Sequence, residues 1–174
     1  MDRIIIHWTG GKYTPNTTDI NHYHYIISGD GEVVKGKYEP EDNLSTKTKY
    51  AAHTRGLNTG SIGVSLAAMY DAKEAPLDVG NYPITEVQVE VLASLVARLC
   101  EEYGIPVTRT TVLTHAEVQP TLGVKQRFKW DIVWLPGMTK TEDPIKVGDK
   151  LRLKIKSKEK QCSFLDKLFR REGC

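Results

Sequence analysis

The 174-residue sequence is poor in cysteine and contains no long apolar run. Its three cysteines, Cys100, Cys162 and Cys174, are odd in number and irregularly spaced, which argues against a disulfide framework and against a cysteine-based zinc site. No segment approaches the roughly 20 apolar residues that a membrane-spanning helix needs. The three isoleucines that precede His7 are too few for the apolar core of a signal peptide. We therefore expect cytoplasmic synthesis without a signal peptide.

The net charge of +2 at pH 7 hides an uneven distribution along the chain. From Met138 onward, 11 Lys and Arg residues stand against 6 Asp and Glu residues, a net charge of +5. Residues 1–137 carry 13 against 16, a net charge of −3. A basic end of this kind can contact an anionic wall or membrane surface. An ordinary solvated tail accounts for the pattern equally well, and no nucleic acid is expected as a partner.

Three short apolar segments predict buried strands at residues 3–8, 61–69 and 110–113. The first contains three consecutive isoleucines without alternation, a pattern typical of strands covered on both faces. His7 lies near the end of this strand, and the third strand leads to His115. Open α/β sheets usually hold their sites at such strand ends, although a lone histidine there is more often structural.

Residues 29–31, Gly-Asp-Gly, lie between two β-rich runs and are the clearest hairpin signal in the sequence. In the first of these strands His22 and His24 would point to one face, and Tyr23 and Tyr25 to the other. A His-x-His pair on a strand is a recognised metal-binding arrangement, so it forms a rival zinc site. The favoured interpretation is two polar residues at a strand start.

One helix is predicted by Thr85 and Gln88, which form a capping box after Pro83. The apolar residues that follow lie on one stripe at helical spacing, which indicates core packing. Gly104 ends this helix. Residues 39–49 and residues 70–82 lack periodicity and are predicted as loops.

The pattern changes after Gly137. Residues 145–156 alternate apolar and basic side chains, which predicts an edge strand whose lysines face water. Residues 164–171 are typical of a short basic amphipathic helix. We therefore divide the chain into residues 1–137 and a basic C-terminal extension, residues 138–174, that is not an independent domain.

Four motifs occur in one order along the chain: IIIHWTGG, then YHYIISGDGEVV, then AAHTRG with SIGVSLA, and then THAEV with KWD. This order resembles the zinc-dependent N-acetylmuramoyl-L-alanine amidases, the family that includes phage amidase endolysins and peptidoglycan recognition proteins. The resemblance runs from about Arg3 to Gly137. It implies an α/β (α+β) fold, in which a central mixed β-sheet is flanked by helices and a zinc site lies at one edge of the strands.

At the matching positions, the resemblance implies that His7, His115 and Asp131 are the ligands of Zn²⁺. Two imidazoles and one carboxylate suit a catalytic zinc, which takes three protein ligands and keeps one position open. In many relatives a Pro-Gly pair directly follows the ligand aspartate, whereas here four residues, 132–135, separate Asp131 from Pro136-Gly137. Another alignment of this loop therefore stays open, with Glu117 as the substitute ligand.

The resemblance also implies catalytic roles for Lys129 and Tyr23. A lysine two residues before the carboxylate can stabilise a developing oxyanion, and Tyr23 can orient water or pass a proton to the leaving amine. His53 matches a histidine near the substrate groove of the endolysin-like members. Ser65 stands where some members carry a glutamate, a candidate general base, so acid and base duty shifts toward Tyr23.

The function implied is hydrolysis of the amide bond between N-acetylmuramic acid and the L-alanine of peptidoglycan, whose glycan strand and stem peptide are the expected partners. We expect a monomeric phage or prophage endolysin that acts on the cell wall after release at lysis. The alternatives are a cytoplasmic muropeptide-recycling amidase, a non-catalytic peptidoglycan-binding protein, and an amidase that also inhibits another protein.

Overall fold

A computed structural model describes the backbone of residues 1–169 and the side chains of residues 1–160. Five strands form one mixed sheet in the order β3-β2-β4-β1-β5. The strands are β1 Arg3–Trp8, β2 Tyr25–Ile27, β3 Val33–Lys35, β4 Ser61–Leu66 and β5 Val112–Thr114. All neighbouring strands are parallel except β2 and β3, which form the antiparallel hairpin at one edge. This arrangement confirms the predicted mixed sheet.

The described residues also form four α-helices and one short 3-10 helix. They are α1 Thr17–His22, the 3-10 helix Pro40–Leu44, α2 Glu86–Tyr103, α3 His115–Leu122 and α4 Pro144–Phe169. The 3-10 helix lies within the stretch that was predicted as a loop. Among the described residues, no helix has both the length and the apolar character that a bilayer crossing requires.

The predicted capping box starts α2, and the helix predicted from apolar spacing is confirmed. The Thr85 hydroxyl accepts from the backbone N–H of Gln88 at 3.1 Å, and the Gln88 side chain accepts from the Thr85 N–H at 3.0 Å. Gln88 is fully buried, and its amide nitrogen also donates to the carbonyls of Ile27 and Ala67, both at 3.0 Å. These bonds tie the start of α2 to the ends of β2 and β4.

The structure corrects the prediction that His22 and His24 share one face of a strand. The Asn16 side chain caps α1, so the chain is helical up to His22, and the strand begins only at Tyr25. His22 is exposed at the helix end, whereas His24 is buried and its Nδ1 accepts from the Gly63 N–H at 2.8 Å. The rival His-x-His zinc site therefore does not form.

The predicted edge strand at residues 145–156 is wrong, because these residues lie in α4. Val147, Leu151 and Ile155 recur every four residues and are buried in the same core as α2. A spacing of four follows the helical period rather than the period of two that strands require. The amphipathic helix predicted at residues 164–171 lies outside the residues whose side chains are described, and the division at residue 137 stays a prediction.

A buried ion pair joins α4 to α3. The Arg152 guanidinium donates to both carboxylate oxygens of Glu117, at 2.7 and 3.1 Å, and to the Val112 carbonyl at 2.8 Å. Glu117 is fully buried and also accepts from the Thr114 N–H at 2.8 Å, which caps the first turn of α3. Gly148 leaves room for this carboxylate, because a Cβ at that position would run into it. This ion pair therefore holds the first turn of α3, which begins at His115, against α4.

We expect Arg152→Met to lower the free energy of unfolding by about 3–5 kcal/mol, because it leaves the Glu117 carboxylate buried without its partner. Lys150→Met on the same helix is the matched control, since it breaks only the exposed pair with Glu142 at 2.8 Å, worth less than about 1 kcal/mol. Urea unfolding monitored by circular dichroism measures both. Equal losses in the two variants would show that the buried pair has no special weight.

Candidate metal centre

His7, His115 and Asp131 converge at the carboxyl edge of the parallel strands, and their ligand atoms all lie within 4.8 Å of one another. The Nδ1 atoms of His7 and His115 each lie 3.2 Å from the same Asp131 oxygen, Oδ2. All three residues are buried, with exposed fractions of 1%, 3% and 6%. The structure therefore brings together the three residues that the sequence singled out as ligands.

Local structure explains how three remote residues meet. His7 lies near the end of β1, opposite Ser65 of β4 in the parallel register. β5 ends at Thr114, and His115 is the first residue of α3. The Ala116 N–H donates to the Asp131 carbonyl at 2.6 Å, which holds the loop that carries this aspartate against the start of α3.

The hydrogen bonds around His115 show that the site suits a cation. Gln126 donates through Nε2 to the Arg55 carbonyl at 2.9 Å, so its Oε1 faces His115 Nε2 at 3.0 Å. An amide oxygen only accepts, so Nε2 of His115 carries a proton, and in a neutral imidazole Nδ1 is then bare. A bare nitrogen and a carboxylate oxygen 3.2 Å apart are both acceptors. A bound cation resolves this conflict, and two nitrogens with one oxygen suit zinc.

The electrostatics of the centre keep His7 and Asp131 in the protonation state that metal binding requires. Burial lowers the pKa of His7 to about 4, and the charge of His115 acts in the same direction, whereas Asp131 opposes them. Burial acts to raise the pKa of Asp131, but contacts with His115 and His7 outweigh it and hold that pKa at about 2. At neutral pH His7 is therefore neutral and Asp131 ionised, as metal binding requires.

Tyr23 and Lys129 flank the three residues. The Tyr23 ring lies 5.1 Å from the His7 ring, centroid to centroid. Burial, reinforced by the charge of Asp131, raises the pKa of Tyr23, so its hydroxyl stays protonated at neutral pH. Lys129 is exposed, and its positive charge contributes to the lowered pKa of His7. Both side chains line a narrow cleft of about 280 Å³ together with His115 and Asp131.

His53 borders the same narrow cleft but is 92% buried, and both of its ring nitrogens face protein atoms. Its Nδ1 lies 3.2 Å from His7 Nε2, and its Nε2 lies 3.3 Å from the Ser61 carbonyl oxygen. Its role in the substrate groove stays a prediction. Sequence patterns did not reveal Gln126 or Ser61 as neighbours of the centre. Gln126 belongs to none of the four motifs, Ser61 is only the first residue of a predicted strand, and the contacts of both come from distant segments.

Ser65 and Glu117, the two other residues that the sequence places near the centre, do not belong to the three-residue group. The Ser65 hydroxyl is buried beside His7 and has no hydrogen-bond partner within the described part of the chain. Glu117 lies outside the three-residue group, and Arg152 bonds both of its carboxylate oxygens. Its carboxylate is therefore already engaged in holding α3.

A larger cleft of about 1020 Å³ also reaches His115. It contains four basic side chains and no acidic one among its described lining residues. The basic residues are Arg55, Lys125, Arg127 and Lys129. None of them forms an ion pair with a carboxylate whose position is described. Phe128 is fully exposed and lines both clefts.

Comparison with known proteins identifies the family. Residues 1–144 match the family model described as N-acetylmuramoyl-L-alanine amidase. The chain belongs to this amidase family. This confirms the family that the order of the four sequence motifs indicated.

Among curated proteins, the amidase chain is 32% identical over 98 residues to an endolysin of Klebsiella phage KP32. The match covers 56% of this chain and 54% of that endolysin, so the chain spans about half the length of the curated relative that it matches.

Similar solved structures include the N-acetylmuramoyl-L-alanine amidase LysC from Clostridium intestinale, at 18% identity and a TM-score of 0.49, with 86% of this chain and 83% of that chain covered. Another is the E. coli amidase AmiD in complex with anhydro-N-acetylmuramic acid-L-Ala-D-gamma-Glu-L-Lys, at 18% identity and a TM-score of 0.47. That match covers 67% of this chain and 48% of AmiD.

Proposed function

We propose that the protein is a zinc-dependent N-acetylmuramoyl-L-alanine amidase of the phage endolysin type, which cleaves the bond between N-acetylmuramic acid and L-alanine in peptidoglycan. The observation that carries this proposal is the buried convergence of His7, His115 and Asp131 in a chain of the amidase family. Two imidazoles and one carboxylate would hold the metal and leave a coordination position for substrate or water. The site of action is the cell wall, reached after release at lysis.

Bound Zn²⁺ would supply a polarised scissile carbonyl and a water whose pKa is lowered to about 7. The chain's own residues supply the remainder of the chemistry. The Lys129 ammonium is placed to stabilise the negative charge that develops on the carbonyl oxygen, an effect worth about 3 kcal/mol for one well-placed donor. Because Lys129 is exposed at the border of both clefts, it can meet this oxygen without disturbing the core.

Tyr23 is the candidate for proton transfer to the departing amine of L-alanine. Its hydroxyl is protonated at neutral pH because burial and the Asp131 charge raise its pKa, so it can donate a hydrogen bond or a proton. Among the described residues that line the narrow cleft, Asp131 is the single carboxylate, and it is the proposed ligand. With Ser65 in place of a glutamate, the role of proton donor therefore falls on Tyr23, whose raised pKa keeps it from acting as the base.

The two clefts, which both reach His115, can hold the two parts of the substrate. The larger cleft is lined by four cations that form no ion pair with a described carboxylate, and these cations attract an anionic ligand. The stem peptide of peptidoglycan carries free carboxylates and matches this charge. We therefore place the stem peptide in the larger cleft and the N-acetylmuramic acid beside Tyr23 in the narrow one.

The test of this function follows the bond that is broken. We expect purified protein to clear a suspension of purified cell wall and to release new amino-terminal L-alanine, detected by end-group labelling, without releasing new reducing sugar. A recycling enzyme would instead prefer a small soluble muropeptide in a chromatographic assay and leave intact wall turbid. Binding to the wall with no new amino terminus from either substrate would identify a non-catalytic binding protein.

A further inference from the structure

The position of the His53 ring is fixed by packing against Gly63 and by the hydrogen bonds of its turn. An added Cβ at Gly63 of β4 would lie 2.6 Å from the Cγ of His53, so the imidazole packs directly on this glycine. The side chain of Asn58 accepts from the backbone N–H groups of His53 and Thr54, at 3.0 and 2.7 Å, which fixes the turn that carries the ring. The ring therefore has a defined position next to His7.

The hydrogen bonds of His53 determine which ring nitrogen carries the proton. Its Nε2 lies 3.3 Å from the Ser61 carbonyl oxygen, which can only accept. A neutral imidazole has one donor nitrogen and one acceptor nitrogen. Nε2 is therefore the donor in His53, and Nδ1 is left as the acceptor.

This assignment extends to His7. The Nε2 atom of His7 lies 3.2 Å from His53 Nδ1 and 3.3 Å from the Thr54 hydroxyl oxygen, which itself lies 2.9 Å from His53 Nδ1. His7 Nε2–H can donate directly to His53 Nδ1, or to Thr54, whose hydroxyl then donates to His53. Both arrangements need the proton on Nε2 of His7. Its Nδ1 is then bare and faces Asp131 Oδ2 at 3.2 Å.

We propose that His53 is a positioning residue that selects the Nε2-protonated tautomer of His7, so that the Nδ1 lone pair is presented to the metal. The chain of partners runs from the Ser61 carbonyl through His53 to His7. Outer partners of this kind orient metal-binding histidines, and their loss typically weakens metal affinity by about 10–100-fold. The proposal rests on the zinc site of the proposed function.

Two substitutions of His53 separate hydrogen bonding from space filling. His53→Phe keeps an aromatic ring against Gly63 but removes the acceptor, and we expect zinc affinity, measured by competition with a chelator, to fall about 10–100-fold. His53→Asn is smaller but returns an acceptor oxygen close to the position of Nδ1, so we expect it to bind zinc more tightly than the phenylalanine variant. If the ring only filled space, the order would be reversed, and that result would overturn the proposal.

A second measurement does not depend on any variant. In the metal-free protein, ¹⁵N–¹H correlation spectra of the histidine rings report which nitrogen of His7 is protonated. We expect the proton on Nε2 in the wild type, and a proton on Nδ1 of His7 would overturn the proposal. Failure of the wild type to bind zinc would overturn the proposed function instead, while the ring spectra would still decide the tautomer.

Discussion

We expect His7→Ala to abolish both zinc binding and amidase activity. The variant removes one of three ligands, and His115 and Asp131 alone cannot complete the three-ligand set that catalytic zinc sites use. The loss of affinity should exceed the 100-fold upper range typical of losing a partner that only contacts a ligand. Removal of the metal from the wild type with EDTA should have the same effect on activity, and added zinc should restore it.

His22→Ala is the matched control for this experiment. His22 is exposed at the end of α1, and it belongs to the rival His-x-His pair that the fold does not assemble. Its replacement should leave zinc content and turnover unchanged. Metal analysis measures the zinc content of both variants, and the wall-clearing assay measures their activity. Wall cleavage that survives in His7→Ala would show that the enzyme works without this metal centre.

Lys129→Ala is expected to lower kcat by about 100–1,000-fold while zinc stays bound. This range corresponds to the removal of one donor from an oxyanion site, about 3–4 kcal/mol of transition-state stabilisation. Because the Lys129 side chain is exposed and is not a ligand, thermal stability and zinc content should match the wild type. KM should change much less than kcat, since an interaction made only in the transition state does not contribute to substrate binding.

Lys140→Ala controls for the general loss of one positive charge, because Lys140 is exposed and lines neither cleft. Its kcat should stay within a few-fold of the wild type. Steady-state kinetics on a soluble muropeptide, with zinc measured in the same samples, tests both variants. If Lys129→Ala lost its metal, the lysine would have a structural role, and the oxyanion assignment would be wrong.

Several features could be predicted because they depend on residues close together in the chain or on a general rule of parallel sheets. The box of Thr85 and Gln88 starts α2, and Gly104 ends it with a φ of 65°, so the signals for this helix are local. The run of isoleucines in β1 indicates a strand buried on both faces. Histidines at the ends of β1 and β5 meet because parallel strands bring their carboxyl ends to one edge.

Other features could not be predicted because the local pattern allowed two structures. In α4, apolar residues alternate with lysines, which fits a strand, yet Val147, Leu151 and Ile155 also fit one face of a helix. Burial of that apolar face in the same core as α2 favours the helix over the strand. The alternation around His22 fits a strand, yet the Asn16 side chain caps the first turn of α1 and the chain is helical up to His22.

The sequence by itself determined the family, the central strands, and the residue types from which a metal centre can be built. Only the tertiary structure decided that one oxygen of Asp131 lies 3.2 Å from the rings of two histidines, which are 124 and 16 positions away in the sequence. It also decided which nitrogen of each histidine faces that point. The acceptor that faces Nε2 of His115 is Gln126 Oε1, and the acceptor that faces Nε2 of His7 is His53, which in turn contacts the Ser61 carbonyl. These acceptors come from segments that only folding brings together.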